Sequence, residues 1–146
     1  MRCRTGLLFL TLVAFSAFGA EYDRAAALDI SQGAIGRQLD NYTLRDSAGQ
    51  PFVMSELRGK PLLVSMIYTS CHHICPTITR NLRDKIEVAQ EALGEDAFNV
   101  VTVGFDWRVD TPDRMREFES RLGIDHVPNW HFLATEAGVV DELSDN

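Results

Sequence analysis

The feature that most constrains the fold is an alternation between short apolar stretches and longer amphipathic ones. Residues 62–68, LLVSMIY, are nearly all apolar and too few for a typical helix, which predicts a central strand covered on both faces. Residues 99–106, NVVTVGFD, predict a second buried strand. Because an amphipathic pattern follows each strand, the two strands are expected to be parallel, and the chain is predicted to form an α/β domain.

The first amphipathic pattern begins directly after a proline. Pro76 disfavours helical geometry at Cys75 and is itself suited to the first helical position, so a helix is predicted to begin at Pro76 with Cys75 at its cap. Apolar residues then recur at spacings of three and four until Gly94, which is expected to end the helix: Ile78, Leu82, Ile86, Ala89 and Leu93.

The remaining elements are predicted from shorter patterns. Residues 41–57 contain alternating apolar residues around a turn cluster at 46–49, which predicts a β-hairpin before the first buried strand. Thr111 followed by Pro112 predicts the cap and first turn of a second helix that ends at Gly123. After that helix, NWHFLAT indicates a further short apolar stretch and EAGVVDELSDN the start of another helix.

The first 20 residues are typical of a secretory signal peptide. Arg2 and Arg4 precede a dozen apolar residues, a length too short to span a bilayer, and small residues follow up to Ala20, where cleavage is expected. The mature protein is therefore expected to be exported to the periplasm without a stable membrane span, or tethered facing the periplasm if the signal is not cleaved. Residues 21–34 show no sustained period and are expected to form a loosely held lead-in segment.

The charge balance argues against nucleic acid as a partner. The whole chain carries a formal charge of −7, and loss of Arg2 and Arg4 with the signal changes it to −9. An acidic surface repels phosphate and anionic lipid and favours cationic ligands or basic protein patches.

The segment TSCHHICPT, residues 69–77, carries the strongest chemical signal. Cys71 and Cys75 are the only cysteines left after signal cleavage, and an oxidising compartment allows them to form a local disulfide. At its predicted cap position the Cys75 thiolate would face unsatisfied backbone N–H groups at the positive end of the helix dipole, which is expected to lower the pKa of Cys75 and make it a better nucleophile and metal ligand. The sulfurs would be about 2.05 Å apart in a disulfide and farther apart when each binds a metal at roughly 2.3 Å. A disulfide, a soft-metal site for Cu(I) or Zn(II) and a redox pair all remain open at this point.

The four histidines are weaker candidates as a third ligand. His72 and His73 lie beside the thiols, but on a tight turn where side chains commonly point to solvent. His126 and His131 flank VPNW and are expected to take part in ordinary hydrogen-bonded packing.

A second constellation, FDWRVDTPD, begins where the second buried strand ends. Ligands of open α/β sheets bind outside the carboxyl ends of the strands, so Asp106 is expected to lie near the cysteines, where its carboxylate could bind a charged partner or orient the loop. Asp110, next to Thr111, is expected to belong to the start of the second helix. Trp107 and Trp130 are expected to serve packing or docking.

Three segments in this order resemble the Sco proteins, the copper chaperones of cytochrome c oxidase assembly: YTSCHHICPTI, FDWRVDTPDRM and VPNWHFLA. The hairpin and LRGKPLLVSMIY precede them, and the resemblance runs from about Ile35 to the end, defining a domain at 35–146. CxxxCP and DxxxDTP together are far more specific than either alone. The resemblance implies a thioredoxin-like fold with an N-terminal β-hairpin.

The resemblance also implies a function and its residues. Cys71 and Cys75 would bind copper, as Cu(I) or Cu(II), with Asp106 and Asp110 on the family's DxxxD acidic positions. The copper would pass to the dinuclear copper site of cytochrome c oxidase or to another copper acceptor. Two alternatives use the same cysteines: a thiol-disulfide oxidoreductase acting on a partner's cysteines, in which they form the redox pair, and a redox-sensing module.

One part of the family pattern has no counterpart here. The family's third copper ligand is a histidine on a late strand and hairpin that the sequence does not reach, and none of His72, His73, His126 and His131 matches it. The third ligand is therefore expected to be absent from this chain, and the fold to lack its final strand hairpin and helix. Either the sequence is a fragment or this copy has lost its site. Such a sheet would have an unpaired edge and uncovered apolar surface, so the isolated chain is expected to be poorly soluble.

Overall fold

The computed structural model describes residues 23–145, and the signal peptide expected at residues 1–20 lies outside them. The chain divides after Gly36 into two units. In the first, helix α1 spans Arg24–Gly33, within the segment expected to be loosely held. The carboxylate of Asp23 accepts hydrogen bonds from the backbone N–H groups of Ala25 and Ala26, which begins the helix. No residue of α1 is buried.

The second unit alternates strands and helices as predicted. Its elements are β1 (Thr43–Arg45), β2 (Pro51–Val53), a 3-10 helix (Met54–Leu57), β3 (Leu62–Ile67), α2 (Ile74–Leu93), β4 (Asn99–Gly104), α3 (Pro112–Leu122), β5 (Trp130–Ala134) and α4 (Val139–Asp145). The predicted hairpin is confirmed as the antiparallel pair β1–β2. The predicted parallel pairing of the two apolar strands is confirmed for β3 and β4, and β5 extends it in parallel.

The strands form one five-stranded sheet in the order β2-β1-β5-β4-β3. β4 matches its prediction as a buried strand, because all six of its residues are buried. The prediction of a central position for β3 is wrong: β3 is at the edge, and Leu63, Val64 and Met66 are each about two-fifths exposed. An apolar run predicts a strand, but it does not predict which neighbours cover it.

Two hydrophobic clusters pack on the two faces of the sheet. One lies between the sheet and the helices α2 and α3, and it includes Ile86, Phe118 and Phe132. The other is formed by the hairpin, the 3-10 helix and α4, with Val101 and Leu133 as its sheet residues. Because β3 and β4 are parallel, their carboxyl ends lie at the same end of the sheet. Within residues 23–145 no helix is long and apolar enough to cross a membrane.

Helix α2 begins two residues before the predicted position. It starts at Ile74 and reaches Gly94, as expected, but Cys75 lies within the first turn and not at the cap. The backbone of His73 occupies the cap position instead. The penalty that a proline places on its predecessor is a preference, and the early start is compatible with a proline in the first turn, where its missing N–H would have no intrahelical partner.

Candidate metal centre

The cysteine loop connects the end of β3 to the start of α2. The backbone N–H of Cys71 donates to the carbonyl of Tyr68 at 3.2 Å, which turns the chain immediately after the strand. The ring of Tyr68 packs at a tilt against the ring of Phe105, which follows β4, with centroids 3.8 Å apart. The loop is thus fixed to the neighbouring strand end before the chain enters the helix.

The sulfur of Cys71 lies over the N-terminal turn of α2. It accepts a hydrogen bond from the backbone N–H of Cys75 at 3.3 Å. That N–H, the side chain of Cys75 and the N–H groups of His73 and Ile74 lower the pKa of Cys71 to about 7. The side chain is only partly buried. Cys71 therefore combines access with a large thiolate fraction near neutral pH.

Cys75 has the opposite environment, and the prediction that the helix N-terminus lowers its pKa is wrong. It packs against the cluster under α2, and this burial raises the pKa of its thiol. The negative charges of Cys71 and Asp110 raise it further. The two thiols are both free, and they differ in kind: one is accessible and readily ionised, the other is sheltered and held protonated.

Asp110 is fully buried beneath this loop. Its Oδ1 accepts the backbone N–H of Thr69 at 2.8 Å and the Thr69 hydroxyl at 2.6 Å, while its Oδ2 accepts the N–H of Asp106 at 2.9 Å. A buried carboxylate with three donors is satisfied as an acceptor. The helix cap is Thr111, whose hydroxyl accepts the N–H of Arg114. Asp110 therefore connects the two loops at the sheet edge and is not the start of α3.

Gly104, the last residue of β4, makes room for this carboxylate. A Cβ at position 104 would lie 2.6 Å from the Cβ of Asp110 and 2.6 Å from the sulfur of Met115. Such distances are far inside van der Waals contact, so a larger residue here would displace Asp110 or the core beneath it.

Asp106 has a more local role than the sequence suggested. Its Oδ1 accepts the backbone N–H of Arg108 at 3.1 Å, and its carbonyl accepts the N–H groups of Val109 and Asp110. These bonds shape the turn after β4. The Arg108 guanidinium lies over the ring of Trp107, 4.3 Å from its centroid, and Trp107 is 42% exposed. Trp130 is instead buried in the core.

The histidines do not converge on the sulfurs. His72 and His73 are exposed on the loop. His126 lies before β5, at the opposite end of the parallel strands. The ring of His131 packs at a tilt against Phe52, with centroids 4.9 Å apart, on the face away from α2. Among residues 23–145 no group of three or more histidine, cysteine, aspartate or glutamate side chains is placed to hold a metal.

The donor set within the described residues is therefore two thiols. Thiolates are the ligands that Cu(I) and Zn(II) prefer, and a sulfur stabilised as thiolate near pH 7 binds metal without a large cost of deprotonation. The same pair suits disulfide exchange, because an ionised outer thiol can attack and a sheltered inner thiol can resolve. The geometry fits both chemistries.

Thr69 and Gly104 are parts of the site that the sequence analysis did not identify. Thr69 stands two residues before Cys71 in the sequence, so its proximity to the thiol was predictable. Its hydrogen bonds to Asp110 were not, because they join residues 41 positions apart in sequence. Gly104 ends a strand pattern, where a glycine can indicate close backbone approach.

Several solved structures are similar to this chain in fold. A structure of a protein from Aquifex aeolicus VF5 is 35% identical, with a TM-score of 0.60, over 70% of this chain and 59% of that chain. Bradyrhizobium japonicum ScoI, solved with copper bound, is 24% identical, with a TM-score of 0.59, over 73% of this chain and 64% of that one. These similarities agree with the mixed α/β sheet, and the thioredoxin-like fold expected from the sequence is confirmed.

The family follows from the sequence comparisons. The SCO1 protein homolog of Bacillus subtilis (strain 168) is 26% identical over 98 residues, which is 66% of this chain and 48% of that protein. The chain thus spans about half the length of that curated relative. The SCO1/SenC family model matches residues 33–128, well over half of the chain. The chain belongs to the SCO1/SenC family.

Proposed function

We propose that the chain is a copper metallochaperone that binds one copper ion through Cys71 and Cys75 and passes it by ligand exchange to an acceptor. The observation that carries the proposal is the pair of free, partly accessible thiols at the start of α2, with Cys71 stabilised as thiolate by the N–H of Cys75. Copper bound to ScoI of Bradyrhizobium japonicum supports it. The acceptor we propose is the copper-site subunit of cytochrome c oxidase, because the structurally similar BsSco is described as a member of the Sco family of cytochrome c oxidase assembly proteins.

Copper titration of the reduced chain tests the proposal. We expect uptake of about one copper ion, and Cys71→Ser or Cys75→Ser should weaken binding strongly because each removes a soft ligand. His126→Ala is the matched control, since this exposed histidine lies at the opposite end of the parallel strands. Copper binding that is equal in both cysteine variants and the control would refute the assignment of the site.

Thiol-disulfide exchange is the second candidate, and the unequal thiols favour it. Cys71 ionises near pH 7 whereas the pKa of Cys75 is raised by burial, the combination expected of an attacking and a resolving thiol. A copper-free chain that reduces a partner's disulfide catalytically would support this activity. Loss of turnover but not of the first exchange step in Cys75→Ser would assign the resolving role.

We further propose export of the chain, with the mature protein acting in the periplasm or tethered to face it. The support is the basic, apolar and small-residue order of residues 1–20. N-terminal sequencing of the protein recovered from a periplasmic fraction tests this, and a start near Glu21 is expected. Recovery of full-length protein from the cytoplasm alone would contradict it.

A further inference from the structure

A cavity of about 210 Å³ opens beside the cysteine loop. Three segments line it: the loop itself through Thr69, Ser70 and His72, the turn after β4 through Val109, and one face of α3. Pockets for drug-sized ligands run about 300–1,000 Å³, so this one suits a single side chain or a small ion. Its lining includes both neighbours of Cys71 in the chain, Ser70 and His72, so the cavity adjoins the segment that carries that thiol.

The α3 face carries two arginines and one glutamate. The four cavity-lining residues of α3 are three or four positions apart, a spacing that puts them on one side of the helix: Arg114, Glu117, Phe118 and Arg121. Arg114 forms an ion pair with Glu117 at 3.2 Å. The guanidinium of Arg121 lies over the ring of Phe118, 5.6 Å from its centroid, and within residues 23–145 it forms no ion pair. The cavity thus carries one cation in excess, in a chain whose formal charge is −7.

We propose that this cavity binds the carboxylate side chain of an acidic residue next to a cysteine in the partner protein that exchanges copper or a disulfide with Cys71 and Cys75. Arg121 is the group that binds the carboxylate. The inference rests on the proposed function, because it names a recognition feature of that function's partner.

Geometry and charge both favour a carboxylate beside the partner's cysteine. Consecutive Cα atoms are about 3.8 Å apart, so a partner whose sulfur reaches Cys71 brings its neighbouring side chain to the adjacent cavity. One excess positive charge matches one carboxylate, and a doubly charged phosphate would meet stronger repulsion from Glu117 than a singly charged carboxylate does. The ring of Phe118 lies beneath the Arg121 guanidinium and positions that cation in the lining of the cavity.

The test uses three short peptides with blocked ends that differ only in the residue beside their single cysteine: glutamate, glutamine or lysine. Each is supplied as its 2-pyridyl disulfide to the reduced, copper-free chain. The Cys71 thiolate attacks the peptide sulfur, a Cys71–peptide disulfide forms, and 2-thiopyridone leaves with the electron pair of the broken bond. Stopped-flow detection of 2-thiopyridone gives the rate, which is divided by the rate with 2-mercaptoethanol to remove the peptides' intrinsic reactivity.

We expect the glutamate peptide to react about two- to fivefold faster than the glutamine peptide, the range of a partly exposed ion pair, and the lysine peptide to react slowest. Arg121→Gln should bring the glutamate-to-glutamine ratio to one or below, because Glu117 remains. Glu117→Gln should raise the ratio. Arg58→Gln is the matched control, since it makes the same change in net charge at an exposed site outside this cavity, and its ratio should equal that of the unsubstituted chain.

Equal rates for the glutamate and glutamine peptides, or an unchanged ratio in both Arg121→Gln and Glu117→Gln, would overturn the inference. Copper titration of the same preparations separates its failure from that of the proposed function. Copper binding without charge preference refutes the cavity's role alone. Charge preference without copper binding refutes the chaperone and leaves the recognition of acidic cysteine-containing partners standing.

Discussion

The carboxylate of Asp110 holds Thr69 by two hydrogen bonds, one from its backbone N–H at 2.8 Å and one from its hydroxyl at 2.6 Å. Thr69 stands two residues before Cys71, so the buried acid restrains the loop from below. Through its second oxygen the same carboxylate holds the N–H of Asp106. The position of the reactive thiol thus depends on a carboxylate that belongs to another loop.

Asp110→Asn should destabilise the fold by about 2–3 kcal/mol, because hydrogen bonds to a charged group contribute about 1.5–3 kcal/mol each and an amide can keep only part of the set. The new NH₂ group would face a backbone N–H, one donor against another. Denaturant unfolding measures the change. Reactivity of Cys71 towards iodoacetamide should change as well, because Thr69 no longer restrains the loop.

Asp106→Asn is the matched control for this experiment. The Asp106 carboxylate accepts one local hydrogen bond, from the N–H of Arg108, and an asparagine oxygen can replace it. We expect a loss below about 1 kcal/mol. Equal destabilisation by the two substitutions would contradict the central role assigned to Asp110.

The strands and the helices α2, α3 and α4 were predictable because each has a local pattern that the fold does not override, whereas α1 and the 3-10 helix were not predicted. β4 is an unbroken apolar run and is buried along its whole length. Thr111 caps α3 through its hydroxyl, Pro112 is the first residue of the helix, and Gly123 in the left-handed conformation ends it. The exposed edge of β3 was not predictable, because residues 62–67 have the same composition whether or not another element covers them.

The sequence predicted the cysteine pair of the site but not the role of Asp110. The spacing of Cys71 and Cys75 predicts that their sulfurs can converge, whereas the burial of Asp110 depends on how two loops distant in sequence meet at one sheet edge. Asp106 and Asp110 have the same side chain, so the sequence does not show which of them is buried. Asp110 is the buried one, and the absence of a side chain at Gly104 leaves space for it. The inequality of the thiols also comes from packing, which shelters Cys75 alone.

Cys71 should be alkylated with a midpoint near pH 7, and Cys75 should react more slowly and with a higher midpoint, because its pKa is raised by burial. The folded pKa of Cys71 is below the ordinary 9.0, so its ionisation stabilises the fold fully above pH 9.0, and this contribution is lost as pH falls through about 7. Iodoacetamide labelling read by peptide mass spectrometry measures both profiles. Equal midpoints for the two thiols would contradict the unequal pair.

Self-association through the edge of β3 is expected for the isolated chain, because Leu63, Val64 and Met66 are exposed on a strand that pairs on one side only within residues 23–145. Val64→Lys should shift the chain towards monomer, since a charged lysine on an edge opposes strand pairing. Val88→Lys, on the exposed side of α2 and 63% exposed, is the matched control. Analytical ultracentrifugation measures the distribution, and a monomeric unsubstituted chain would contradict the expectation.

His131 should make the fold sensitive to mild acid. Burial lowers the pKa of His131 below its ordinary 6.5, although the charge of Glu56 opposes the effect. The unfolded chain therefore takes up a proton that the folded chain resists, so this contribution to stability is complete above about pH 6.5 and is lost as pH falls below it.

His131→Phe retains a ring against Phe52 and cannot titrate, so its melting temperature should fall less than that of the unsubstituted chain between about pH 7.5 and about pH 5.5. Glu56→Gln should enlarge the fall, because it removes the charge that favours protonated His131. If the melting temperatures of all three proteins fall equally over this pH range, His131 does not set the acid sensitivity.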